Sequence, residues 1–302
     1  MKPVELRQKL SGVIAFPITP FRSDLSLDIE GLRENLAKLF AHPICAVVAA
    51  GGTGEMYSLS PAEHLRIVSA TVEAAAASRV PVIAGVGFNQ HQAVELARAA
   101  TDAGADGILA FPPYFPNADD EGMLAYYRAI GAASNLGTLI YSRDWANFSP
   151  LMVERLTDIP NLIGWKDGQG DIRRLQMIMN RVGERLQWIG GAGDDMVAAY
   201  YSTGIRAYTS SIASVAPRLS LRLHELAADG LGDELTQLLQ VSVIPLYAIR
   251  ARRKGYEVST MKALMDMAGL RGGPVRPPLV DVTDGEKQEL RAILETWAPF
   301  LD

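Results

Sequence analysis

From residue 12 onward, short apolar runs alternate with longer amphipathic stretches. The runs are Gly12–Pro17, Ala46–Ala50, Pro81–Val86, Gly107–Phe111, Thr138–Tyr141, Leu162–Trp165, Leu186–Ile189 and Arg206–Ser210. Each is too short for a helix and is bounded by turn residues, so each predicts a buried strand. Between them the apolar positions recur at helical spacing. Over 28–41, Ile29, Leu32, Leu36 and Leu39 share one face. Ser60-Pro61-Ala62-Glu63 is the sharpest helix start: an N-cap hydroxyl, a proline where its missing N–H is harmless, and an early acid. Further helices are predicted over 90–103, 120–134, 149–157, 172–182, 194–203 and 217–228.

Eight strand-like runs, each followed by a helix, predict an α/β fold: a (β/α)₈ TIM barrel over residues 1–230. A doubly wound open sheet shares this linear pattern, since periodicity cannot show closure. Beyond residue 230 the strand runs cease, and 231–254, 258–268 and 284–297 look helical. Between the last two lies Arg271-Gly272-Gly273-Pro274-Val275-Arg276-Pro277-Pro278, too rich in Gly and Pro for helix. Residues 231–302 are expected to form a helical extension packed on the barrel. Its basic cluster, Arg250, Arg252, Arg253 and Lys254, is expected to be a solvated or subunit-contact face.

Composition narrows the function. The chain is 48% apolar, enough for a sizeable core, and its net charge of −5 argues against a nucleic-acid or anionic-membrane surface. The single cysteine, Cys45, lies in an apolar run and is expected to be a buried structural thiol. No run approaches the roughly 20 apolar residues that span a bilayer, and Met1–Leu10 has no apolar signal-peptide core. The expectation is a soluble, cytoplasmic protein with no membrane or nucleic-acid partner.

In such a barrel, chemistry lies where strands end and loops begin. The sixth run, Asn161-Leu162-Ile163-Gly164-Trp165, leads straight into Lys166, before Asp167-Gly168 stops it. A lysine at the tip of a buried strand has little water, so its ammonium form is disfavoured and the amine becomes a candidate nucleophile for a Schiff base. The plainer alternative is a salt bridge with Asp167 or another acid. After the second run, Gly51-Gly52-Thr53-Gly54-Glu55 can bring backbone N–H groups and the Thr53 hydroxyl up to an anion; a tight turn without ligand is the alternative. Tyr141, closing the fifth run, is a candidate proton shuttle or simply a half-buried strand aromatic. His42, His64, His91 and His224 show no metal-like spacing, and Asp194-Asp195 reads as a helix N-cap and first-turn acid. No zinc, flavin or nicotinamide motif appears, so neither metal nor cofactor is expected.

The loop Gly51–Glu55, the tyrosine ending the fifth run, the lysine of Gly164-Trp165-Lys166-Asp167 and the turn Gly193-Asp194-Asp195 together resemble the dihydrodipicolinate synthase / N-acetylneuraminate lyase family, in order and over nearly the whole chain. The resemblance implies a (β/α)₈ barrel with a helical C-terminal extension, usually a homotetramer, using a Schiff-base lysine on 2-oxo acids. It makes Lys166 the imine-forming amine and Tyr141 the proton shuttle. Thr53, with the backbone of Gly52 and Gly54, becomes the cradle for the carboxylate beside the ketone. Two hydroxyls of the synthases are missing: Gly52 stands where they have threonine, and Tyr114-Phe115 where they have a tyrosine pair.

Other stretches resemble the family's 5-dehydro-4-deoxyglucarate dehydratase branch. They are Phe111-Pro112-Pro113-Tyr114, Trp165-Lys166-Asp167-Gly168-Gln169-Gly170-Asp171, Arg253-Lys254-Gly255-Tyr256 and Gly273-Pro274-Val275-Arg276-Pro277-Pro278-Leu279. That likeness implies a sugar-acid substrate that is dehydrated and decarboxylated through the imine. Arg143, Gly193, Thr209, Ser210 and Ser211 are then candidates for contacts along the substrate and to its far carboxylate. A pyruvate-releasing aldolase and a non-catalytic sugar-acid sensor are the alternatives.

Overall fold

A computed structural model describes residues 1–230 and 232–301. After a short helix α1 (Pro3–Lys9), strands and helices alternate: β1 (Gly12–Ala15), α2 (Ile29–Leu39), β2 (Ala46–Ala49), α3 (Pro61–Ala75), β3 (Val82–Phe88), α4 (Gln90–Asp102), β4 (Gly107–Pro113), α5 (Asp120–Ala132), β5 (Gly137–Ser142), α6 (Pro150–Leu156), β6 (Leu162–Asp167), α7 (Ile172–Val182), β7 (Gln187–Gly190), α8 (Val197–Ser202), β8 (Ala207–Ser210) and α9 (Pro217–Asp229). The strands are parallel and close in sequence order, β8 pairing with β1, so the chain forms a (β/α)₈ barrel and the open sheet is ruled out. At α3 the expected start is realised: Ser60 accepts from the Glu63 N–H, and Glu63 accepts from the Ser60 N–H.

Alternation along the strands sorts side chains between two cores. Ile14, Val48, Ile83, Leu109, Leu139 and Ile189 fill the lumen, while their neighbours face the helices. The sequence reading missed α1, whose Leu6, with Leu10 just past its end, is fully buried in the lumen cluster and closes its floor. With the floor plugged, the cavity lies at the C-terminal ends of the strands.

β6 departs from simple alternation, and the departure places the key residue. Thr138 pairs with Leu162 but Leu139 pairs with Gly164, so Ile163 is an extra residue in β6. This bulge lets Ile163 join the lumen while Trp165, two positions on, packs outward against Phe148 with ring centroids 5.1 Å apart. Lys166 therefore points into the barrel, in register with Tyr141.

The tail supplies α10 (Asp233–Leu238), α11 (Ile244–Arg250), α12 (Tyr256–Met267) and α13 (Asp284–Thr296). Leu231, where the expected tail begins, and Asp302 lie outside the described residues. The expected single helix over 231–254 is broken by a π-helical turn, Leu239–Val243, just before Pro245, and the Trp297 indole donates to the Ser242 carbonyl at 2.7 Å. The Gly/Pro stretch runs back to the barrel. Asn35 and the Arg271 backbone exchange two hydrogen bonds, and Arg276 forks onto Glu63 at 2.9 and 2.6 Å, which holds that carboxyl down at about 2. The basic cluster does not share one face. Arg252, Arg253 and Lys254 are exposed and Arg252 pairs with Glu289, but Arg250 is buried against the barrel mouth.

Candidate active site

Lys166 is 3% exposed at the base of a cavity of about 500 Å³. Its Nζ donates to the Gly191 carbonyl at 3.0 Å and lies 3.3 Å from the centroid of the Tyr141 ring. The expected alternative, an ion pair with Asp167, is not formed. Asp167 faces the other way, accepting from Tyr200 Oη at 2.8 Å and from the Gly170 N–H at 3.0 Å. Burial, helped by the nearby Arg143 charge, pulls the Lys166 pKa well below its ordinary value. Two glycines make room for this pair. A Cβ at Gly191 would lie 2.8 Å from Nζ, and one at Gly168 would lie 2.9 Å from the Tyr141 hydroxyl. Burial raises the Tyr141 pKa, so its phenol stays protonated.

On the β2 side, Gly52 and Thr53 line the cavity. Among the described residues no acceptor takes the N–H of Gly52, Thr53 or Gly54, whereas the loop carbonyls are used: Glu55 N–H to Gly52 O, Met56 N–H to Gly51 O, Thr19 Oγ1 to Gly54 O. Free N–H groups at Gly52 and Thr53, the two of these that line the cavity, suit an anion. The loop is fixed at Glu55, which adopts φ 54°. Its fully buried carboxylate meets Lys262 Nζ at 2.6 Å and accepts from the Arg276 N–H at 3.1 Å.

The β7–β8 wall is ordered by Asp194, which is not the helix N-cap expected from sequence. Its carboxylate is buried, accepting from Ser210 Oγ and, at 3.2 Å, from Tyr247 Oη, and burial pushes its pKa up to about 6. Gly193 lets the Tyr247 ring approach, as a Cβ there would sit 2.6 Å from Tyr247 Oη. Ser210 and Tyr208 face the outer helices, so the Ser210 hydroxyl serves the wall, bonding Asp194 and Ser220. Thr209 shares the inward face of Ala207 and lines the cavity with Ser211. Arg143 stands half-buried at the mouth, its Nε on Asp144 at 2.6 Å and its Nη1 3.3 Å from where a Gly52 Cβ would sit.

The model of the dihydrodipicolinate synthetase family matches residues 9–297. The chain belongs to that family. Among curated relatives, a probable 5-dehydro-4-deoxyglucarate dehydratase of Saccharopolyspora erythraea is 42% identical over 298 residues, covering 97% of this chain and 96% of its own. One of the same name from Bradyrhizobium diazoefficiens is 38% identical over 299 residues, covering 98% and 95%. Among solved structures, dihydrodipicolinate synthase from Oceanobacillus iheyensis superposes with a TM-score of 0.92 at 28% identity, covering 99% of this chain and 100% of that one.

In this member of the dihydrodipicolinate synthetase family the structure brings Lys166, Tyr141, Gly52, Thr53, Arg143, Gly193, Thr209, Ser210 and Ser211 to one cavity, with Gly54 buried behind the loop. Phe16, Tyr57, Tyr247, Arg250 and Glu257 also line it and were missed. The last three come from the tail, where no local pattern marks a residue as facing the barrel.

Proposed function

We propose that this protein is a 5-dehydro-4-deoxyglucarate dehydratase, which releases 2,5-dioxopentanoate, water and carbon dioxide through an imine on Lys166. The observation that carries the chemistry is a buried amine of depressed basicity, without an acid partner among the described residues, beside a protonated phenol and a cradle of free N–H groups.

The substrate carboxylate next to the ketone sits against Gly52–Gly54, which brings the ketone carbon to Nζ. The neutral amine adds to it, and Tyr141 passes a proton to the carbinolamine hydroxyl so that water leaves. The protonated imine draws electrons, so the neighbouring methylene loses a proton and the β-hydroxyl leaves as water. The conjugated imine then accepts the electron pair of the far carbon–carboxylate bond, and carbon dioxide departs. The carbon that bore it keeps its hydroxyl as an enol, which becomes the aldehyde. Hydrolysis returns Lys166. No metal or cofactor enters this scheme, and the site holds one small sugar acid.

We further assign the enzyme to the cytoplasm and to a homotetramer. Tyr114 and Phe115 beside the mouth are 82% and 70% exposed, which suits burial by another copy, and among the described residues no helix is long and apolar enough to cross a membrane. Incubation with 5-dehydro-4-deoxyglucarate, followed by assay for carbon dioxide and the semialdehyde, tests the reading. Substrate returned unchanged at high enzyme concentration refutes it, and pyruvate among the products would indicate cleavage instead.

A further inference from the structure

The cavity holds a second arginine that the scheme above leaves unused. Arg250, the last residue of α11, is 8% exposed and lines the wall. Its Nε donates to Thr260 Oγ1 at 3.3 Å, its Nη2 donates to Ser211 Oγ at 3.0 Å, and the guanidinium lies 4.7 Å from the centroid of the Tyr247 ring. These bonds use two of its five N–H donors and fix its orientation.

What it lacks is a counter-ion. Three other cations packed into the fold each have one: Lys262 has Glu55, Arg276 has Glu63, Arg143 has Asp144. Among the described residues no carboxylate reaches Arg250. Asp194 and Asp195 feel its charge from a distance, and the Asp194 oxygens are already taken by Ser210 and Tyr247. Burying an unpaired guanidinium is costly, and arginine does not escape by losing its proton. The remaining N–H groups suit an anion that arrives through the cavity.

We propose that Arg250 receives the far carboxylate of the substrate and so selects a dicarboxylate over a 2-oxo acid with a neutral end. This rests on the imine reading. With one carboxylate on the Gly52–Gly54 loop and the ketone at Lys166, the rest of the substrate extends toward Gly193, Thr209 and Ser211, where Arg250 is anchored. Arg143 is placed for the other end, beside Gly52 and already spent in part on Asp144.

The test uses the full-length protein, wild type, Arg250→Met and Arg250→Lys, with three probes. They are pyruvate, a six-carbon 2-oxo-3-deoxy acid ending in a hydroxymethyl group, and 5-dehydro-4-deoxyglucarate. The readout is the concentration that half-saturates borohydride trapping on Lys166, with KM for carbon dioxide release. Arg250→Met should raise both values for the dicarboxylate roughly 10- to 100-fold, keep the other two probes within about twofold, and leave Arg250→Lys in between. Unchanged dicarboxylate binding overturns the proposal, as does an equal loss on all three probes. If Arg250→Met traps no pyruvate because it is unfolded, Arg250→Lys is judged by the same comparison. A wild type that traps none of the probes refutes the imine reading, and the proposal with it; a wild type that traps and turns over while the variants do not discriminate refutes the proposal alone.

Discussion

Lys262→Met tests how the tail supports the glycine loop. The Lys262 and Glu55 side chains are 1% and 0% exposed and meet at 2.6 Å, the shortest leg of a set that includes Lys262 Nζ to the Pro274 carbonyl at 2.7 Å. The Phe21 ring lies 4.1 Å from the charges of both Lys262 and Arg276. Methionine preserves much of the volume but leaves the Glu55 carboxylate buried with one backbone N–H. Breaking a buried pair from one side costs about 3–5 kcal/mol. At about 1.6 °C per kcal/mol, from an unfolding entropy of about 2.1 cal/mol/K per residue over 302 residues, the melting temperature should fall by roughly 5–8 °C. Removing both charges, as in Glu55→Gln with Lys262→Met, should recover most of that loss, because a neutral replacement of a buried pair is often close to neutral in stability. Thermal melts of the wild type, the single variant and the double variant decide it. A single variant within about 1 kcal/mol of wild type, or a double variant no more stable than the single, refutes the reasoning.

Lys166→Met should abolish borohydride trapping and carbon dioxide release, and retained turnover rejects the imine. It also has a pH signature. The Lys166 pKa is depressed in the folded state, so from that pKa up to about 10.4 the unfolded chain binds more protons. The wild type should therefore gain stability relative to Lys166→Met as pH rises from neutral toward 10, and a flat difference in melting temperature contradicts this. Asp194 has the opposite sign. Its folded pKa is raised to about 6, so its favourable contribution is complete below about 3.9 and is lost as pH rises through about 6. Asp194→Asn should thus gain on the wild type in melts between pH 4 and 7, and a difference independent of pH refutes the assignment. Leu6→Ala should leave a void in the barrel floor and cost about 2–5 kcal/mol while KM holds, measured by melting and by steady-state kinetics; a KM that moves with it would show that the floor shapes the site.

The barrel was legible because parallel strands are buried on both sides and spell out apolar runs, and because strong caps such as Ser60-Pro61-Ala62-Glu63 punctuate the helices. Lys166 and Tyr141 were legible as polar ends of such runs. The inward aim of Lys166 was not, because a continuous apolar run has no alternation to count and the bulge at Ile163 leaves no mark in it. Helix α1 was hidden by its shortness: with Leu6 its only buried residue, it has no periodicity. Arg250 was hidden by its neighbours. Beside Arg252, Arg253 and Lys254 it reads as surface charge, and only Ser211 and Thr260, contributed by other elements, make it a wall residue.

The two parts of the chain contribute to the site in different ways. The proposed reacting pair belongs to the strands alone, with Lys166 on β6 and Tyr141 on β5 held in register by the sheet. Both flanks depend on the tail. The left-handed backbone at Glu55 is a conformation that a non-glycine residue holds only when its surroundings over-determine it, and Lys262 and the Arg276 N–H supply that hold. Across the cavity, Tyr247 fixes Asp194 beside Gly193, and Arg250 brings a charge that no strand provides. A change in the tail can therefore alter which ends of a substrate are accepted while the amine and phenol between them keep their geometry. On the proposed mechanism, that separation would let one barrel serve different acids, because the two flanks of the cavity are braced by residues the barrel strands do not contain.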